Sequence, residues 1–62
     1  MKRVREGEFY WVPCVRTIGA FKVREAGDMM DDANHRCGRY FHTEEQALEV
    51  SRRLYYENRQ KN

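Results

Sequence analysis

Cysteine, proline and long apolar runs are all scarce in this chain, and each scarcity removes a class of protein. Two cysteines, Cys14 and Cys37, among 62 residues are too few for the dense disulfide frameworks that staple small secreted domains. No apolar run approaches the roughly 18 residues that a membrane-spanning helix needs. The opening Met1-Lys2-Arg3-Val4-Arg5-Glu6 is basic, but the apolar segment of a secretory signal does not follow it. Neither sign of charge is in large excess, and a formal +2 does not by itself select nucleic acid. These absences lead us to expect a soluble cytoplasmic protein with reduced thiols and no membrane partner.

What is present argues for a folded domain. The chain is 40% hydrophobic and 35% charged, and its apolar residues gather in a few runs, unlike those of a disordered chain. The length suits one domain, near the lower limit at which a single core suffices. We expect a flexible basic arm over residues 1–7 and one domain over 8–62.

Glu8 to Arg16, rich in aromatic and β-branched residues, reads as a first strand. Thr17-Ile18-Gly19 supplies a turn. Ala20 to Glu25 alternates apolar with polar, the pattern of a half-buried strand, with Phe21 and Val23 inward and Lys22 and Arg24 outward. Ala26 to Asn34 is crowded with turn formers and reads as a loop, with Met29 or Met30 tucked against the core. A short third strand is expected at Arg39 to Phe41. Thr43 and Gln46 form a capping box that starts a helix from Glu44 to about Asn58. Its inner face is Ala47, Val50, Ser51, Leu54 and Asn58, flanked by Leu48 and Tyr55. Glu49 and Arg53 have the spacing of an ion pair, and Arg59 and Lys61 suit the helix C-terminus. The expected fold class is α+β: a three-stranded antiparallel meander (β-β-β-α) with one C-terminal helix packed on one face.

Pro13 cannot donate to a ladder, which places the first strand at an edge. That strand is nevertheless apolar on both faces, with Phe9, Trp11 and Val15 on one and Tyr10, Val12 and Cys14 on the other. A single helix covers one face. The N-terminal arm, the methionine loop or another molecule must cover the rest, so Tyr10, Trp11 and Val12 are the expected partner-binding residues. Trp11 also suits the core of so small a domain, and Tyr10 is then the residue that truncation should remove without loss of fold.

Signals for chemistry are weak. Cys14, Cys37, His35 and His42 could surround zinc, but no Cys-x-x-Cys occurs, and one residue rather than two to four separates His35 from Cys37. Asp28, Asp31 and Asp32 lack the glycine and terminal glutamate of a calcium loop. No nucleophile turn accompanies either histidine. We expect no enzyme activity, cofactor, metal or small-molecule substrate. The outward helix residues Arg52, Arg53, Tyr56 and Arg59, with Lys2, Arg3 and Arg5 of the arm, make an alternative nucleic-acid surface.

Asp31-Asp32-Ala33-Asn34-His35-Arg36, followed by Gly38-x-Tyr40-Phe41-x-Thr43-x-Glu45-x-Ala47, resembles the tail of small phage and prophage-type proteins. Those commonly carry an acidic loop, then Gly-Asn-Tyr-Phe, Lys-Thr and a Glu-Glu-Ala helix. The likeness spans roughly the last half of the chain and departs at Arg39, where that pattern has Asn, and at Gln46, where a second Glu is common. It implies a virus-encoded or mobile-element accessory protein and transfers no catalytic residue. The expected function is a non-enzymatic protein-binding module acting on a host or viral protein, or forming a homodimer, through its aromatic edge strand. The alternative is nucleic-acid binding.

Overall fold

The computed structural model describes residues 2–60. Its order is β1 (Phe9–Pro13), β2 (Ala20–Arg24), α1 (Met29–Arg36) and α2 (Glu44–Gln60). The α+β class stands, but the fold has two strands and two helices in place of three strands and one helix. β1 and β2 form an antiparallel hairpin that pairs Tyr10 with Val23, Trp11 with Lys22 and Val12 with Phe21.

The expected third strand shrinks to one bridge. Phe41 and Trp11 exchange both backbone hydrogen bonds, at 2.8 and 3.0 Å. α1 ends at Arg36 and α2 begins at Glu44, so the connection touches β1 at a single residue. The contact still changes the topology, because β1 now lies between β2 and Phe41 and its outer side is occupied. The polar groups of Trp11 point toward Phe41. By the alternation of an antiparallel ladder, those of Phe9 and Pro13 also point away from β2. Pro13 is therefore tolerated in an inner strand, since its missing N–H costs the hairpin no bond.

The segment expected to be a loop contains α1. Asp28 caps it by accepting from the Asp31 N–H at 3.0 Å, while the Asp31 side chain returns to the Asp28 N–H at 3.4 Å, a full capping box. At the other end Gly38 takes φ +78°. The N–H of Gly38 donates to His35 and that of Arg39 to Asn34, at 3.3 and 2.9 Å, which is the Schellman arrangement. Asp28 and Asp31, read as turn formers, are thus the start signal of a helix. Met29 and Met30 lie on its outer side, 85% and 68% exposed, rather than against the core.

α2 keeps its expected start, with Thr43 Oγ1 accepting from the Gln46 N–H at 3.2 Å. Ala47 and Ser51 are buried, whereas Val50 and Leu54 are half-buried and Asn58 is exposed. Ser51 ties the helix to the hairpin turn: its hydroxyl donates to the Cys14 carbonyl at 2.6 Å and accepts from the Gly19 N–H at 2.9 Å. Beyond Ser51 the helix still flanks the hairpin turn, where Tyr55, Asn58 and Arg59 line a groove with Val15 and Arg16, and the longest dimension of the molecule is 39 Å against 20 and 16 Å. Among the described residues, the ion pairs are Arg3–Glu25 and Arg3–Asp32, so the expected Glu49–Arg53 pair does not form. Lys61 lies outside the described residues.

Both faces of β1 from Tyr10 to Pro13 are covered at least in part from within the chain, while Phe9 and Phe21 remain exposed. Tyr10, Val12 and Tyr40 form one buried cluster, with Val4 and Val23 against it. α2 packs on both strands but contributes nothing to that cluster, so it covers the opposite face, that of Trp11 and Pro13.

Candidate functional site

The interior is polar to an unusual degree for so small a domain. Glu25 and Asp31 are buried beside Tyr10 and Tyr40. The Arg3 guanidinium donates to both Glu25 oxygens, at 2.9 and 3.1 Å. Tyr40 donates to Glu25 Oε1 at 2.7 Å, and the Gly27 N–H to Oε2 at 3.0 Å. Tyr10 donates to Asp31 Oδ1 at 2.5 Å and accepts from Asn34 at 3.0 Å. The Ala26 N–H reaches the other Asp31 oxygen at 2.8 Å.

The titration shifts follow from these contacts. Arg3 holds the Glu25 carboxyl below its usual range against the opposing effect of burial, helped by Tyr40 and Gly27. Burial alone would push Asp31 up, but Tyr10 and the Ala26 and Asp28 N–H groups outweigh it and hold the carboxyl far below the usual range. Burial and the Asp31 hydrogen bond push the Tyr10 hydroxyl up to about 12. Among the described residues, every buried side-chain nitrogen and oxygen has a partner. Glu25 and Asp31 each bond to several donors and are about 2% exposed, an arrangement suited to holding α1 and the arm on the sheet.

The arm is docked rather than free. The Val4 N–H donates to the Tyr40 hydroxyl at 2.9 Å, His42 donates to the Lys2 carbonyl at 2.6 Å, and the Gly7 N–H reaches the Glu25 carbonyl at 2.8 Å. Arg3, expected on a nucleic-acid surface, is instead committed to Glu25 and Asp32.

The three expected anchors are not presented together. Tyr10 is fully buried and Val12 nearly so, while Trp11 is half-buried in the strand bridged to Phe41. The alternation that places Tyr10 and Val12 on one face also delivers both to Tyr40. The metal candidates are dispersed: Cys14 lies beside Gly19 in the hairpin turn, Cys37 follows α1, and His42 faces Lys2. Among the described residues, no three His, Cys, Asp or Glu side chains cluster as metal ligands. Arg52, Arg53, Tyr56 and Arg59 are exposed on the C-terminal half of α2, and Arg59 donates to the Tyr55 hydroxyl at 3.2 Å.

The open edge is on β2. Its pairing with β1 uses the backbone of Phe21 and Val23, so that of Ala20, Lys22 and Arg24 points outward, where the sheet ends. Exposed aromatics lie near it, Phe21 on β2 itself at 51% and Phe9 on the neighbouring β1 at 48%. Lys22 sits over the Phe9 ring, 4.5 Å from its centre. Phe21 also walls a groove of about 320 Å³ that includes Val12 and Val15 and has Arg16 and Arg39 on its rim. The alternation of Ala20 to Glu25 was the sequence signal for a strand, but only the pairing of β1 with Phe41 identifies β2 as the free edge.

The chain is matched by no protein-family model, no curated protein and no solved structure. Among the described residues, no helix is long and apolar enough to cross a membrane.

Proposed function

We propose that this chain is a non-enzymatic protein-binding module that takes an extended segment of its partner onto the free edge of β2. Such a role suits an accessory protein of a phage or mobile element acting on a host or viral protein. The observation that carries the reading is the outward backbone of Ala20, Lys22 and Arg24 beside two half-exposed phenylalanines. An added strand gains main-chain hydrogen bonds there and finds apolar surface for its alternate side chains. The interior supports the non-enzymatic part, since its two carboxylates are enclosed and their hydrogen bonds spoken for.

Lys22→Pro provides the test. Its N–H faces away from β1, so proline there spares the hairpin and removes the central donor of the edge. Peptides selected from a displayed random library should bind the parent and Lys22→Ala, and bind Lys22→Pro about tenfold more weakly or worse. Equal binding to a folded Lys22→Pro would reject strand addition.

A second reading, nucleic-acid binding, draws on the exposed Arg52, Arg53, Tyr56 and Arg59 of α2. It requires a gel shift at low salt that weakens steeply as salt is added. No shift with single- or double-stranded DNA or RNA at tens of micromolar protein would eliminate it.

A further inference from the structure

We infer that the segment received by β2 is one in which acidic and apolar residues alternate; this rests on the strand-addition reading above. The inference follows from how β2 distributes its side chains. Phe21 and Val23 share one face with Val12 and Tyr10, and Lys22 and Arg24 share the other with Trp11 and Phe9. One flank of the free edge is therefore apolar and the other cationic.

Neither cation is neutralised by an ion pair among the described residues. Arg16 and Arg39 line the groove of Phe21 and Val12 at the turn end and form no ion pair among the described residues, so they lie toward the apolar flank and leave Lys22 and Arg24 to carry the charge of the other. Glu6 shares a groove with Arg24 at the far end, so the cationic character of that flank is strongest at Lys22. An incoming strand places its side chains beside those of β2 with the same two-residue period. Every second position then lies next to Lys22 or Arg24, where a carboxylate is favoured and a lysine opposed. The positions between lie next to Phe21 and Val23, which favour aliphatic or aromatic groups.

A second copy of this chain fits the edge poorly. Antiparallel pairing of two β2 strands about Lys22 would set one Lys22 directly against the other, the like-charge arrangement by which edge strands resist self-association. The occupant that meets both flanks is an acidic, alternating segment of a different protein.

Three capped octapeptides provide the probes: alternating valine and glutamate, valine and lysine, and valine and threonine. Each is titrated into the isotope-labelled chain while backbone amide signals and their hydrogen exchange are followed. The glutamate peptide should shift and protect the outward amides of Ala20, Lys22 and Arg24, and bind about tenfold or more tightly than the lysine peptide. A Lys22→Glu/Arg24→Glu variant, changed only at exposed positions, should reverse that order. Threonine or lysine peptides that bind as well as the glutamate one would overturn the acidic preference while leaving strand addition in place. Protection of no edge amide by any peptide would overturn both. Protection that appears on concentrating the chain alone would make the occupant a second copy and also overturn the inference.

Discussion

Tyr10 and Tyr40 stack with ring centres 4.0 Å apart and planes 16° from parallel, yet their hydroxyls serve different carboxylates. Tyr10 donates to Asp31 in α1, and Tyr40 donates to Glu25 at the end of β2. The acids reach the stacked pair from elements distant in sequence. Arg3 then ties the arm to Glu25 and to Asp32 of α1. The arm and α1 are thereby held on one small sheet.

Tyr10→Phe should test how much that hydroxyl contributes. It preserves the stacked ring and leaves Asp31 Oδ1 without its buried donor, a loss of about 1–3 kcal/mol in urea unfolding. Tyr40→Phe should cost a similar amount by depriving Glu25. The double variant should depart from additivity, because the residues touch. Tyr10→Ala is expected to lose about 3–5 kcal/mol and to be largely unfolded, contrary to what an exposed Tyr10 would allow.

Acid should unfold the chain by a defined route. Glu25 and Asp31 have folded pKa values below their ordinary 4.5 and 3.8. The unfolded state therefore binds more protons below those values. The stabilisation is complete above about pH 5 and is lost as pH falls through the ordinary range and on toward the depressed values. Tyr10 acts oppositely at the alkaline end: with its hydroxyl raised to about 12, stability holds below 10 and falls as pH rises through 12. Melting temperature against pH should show both slopes, and Asp31→Asn should flatten the acid one. An unchanged acid slope in a folded Asp31→Asn would remove Asp31 from this account.

Ser51→Ala should loosen α2 from the hairpin. The hydroxyl is buried and meets the Cys14 and Thr17 carbonyls and the Gly19 N–H of the turn, so its loss takes a partner from three backbone groups at a cost of about 1–3 kcal/mol. Hydrogen exchange should quicken at the Gly19 amide before it does in the α1 amides.

Asp28→Ala should weaken α1 selectively. Loss of the capping side chain costs about 0.5–2 kcal/mol, and exchange should rise first in α1. If the α2 amides lost protection equally, α1 would be no separate weak element.

The sequence by itself determined β1, β2, the hairpin turn, the Thr43 start of α2 and the inward Ala47 and Ser51. Each of these depends on a period or a cap readable within a few residues. It also held the signals for α1, Asp28 with Asp31 ahead and Gly38 behind, but these residue types serve turns as well as helix ends. Tertiary structure alone decided the rest. Tyr10 looked like a surface anchor because a two-residue alternation names two faces without saying what covers each; Tyr40 and Val4, distant along the chain, cover its face. Which strand is the free edge was likewise undecided until Phe41 paired with Trp11, because backbone hydrogen bonding between distant segments leaves little trace in side-chain pattern. The same pairing makes β2, with its cationic and apolar flanks, the surface open to a partner.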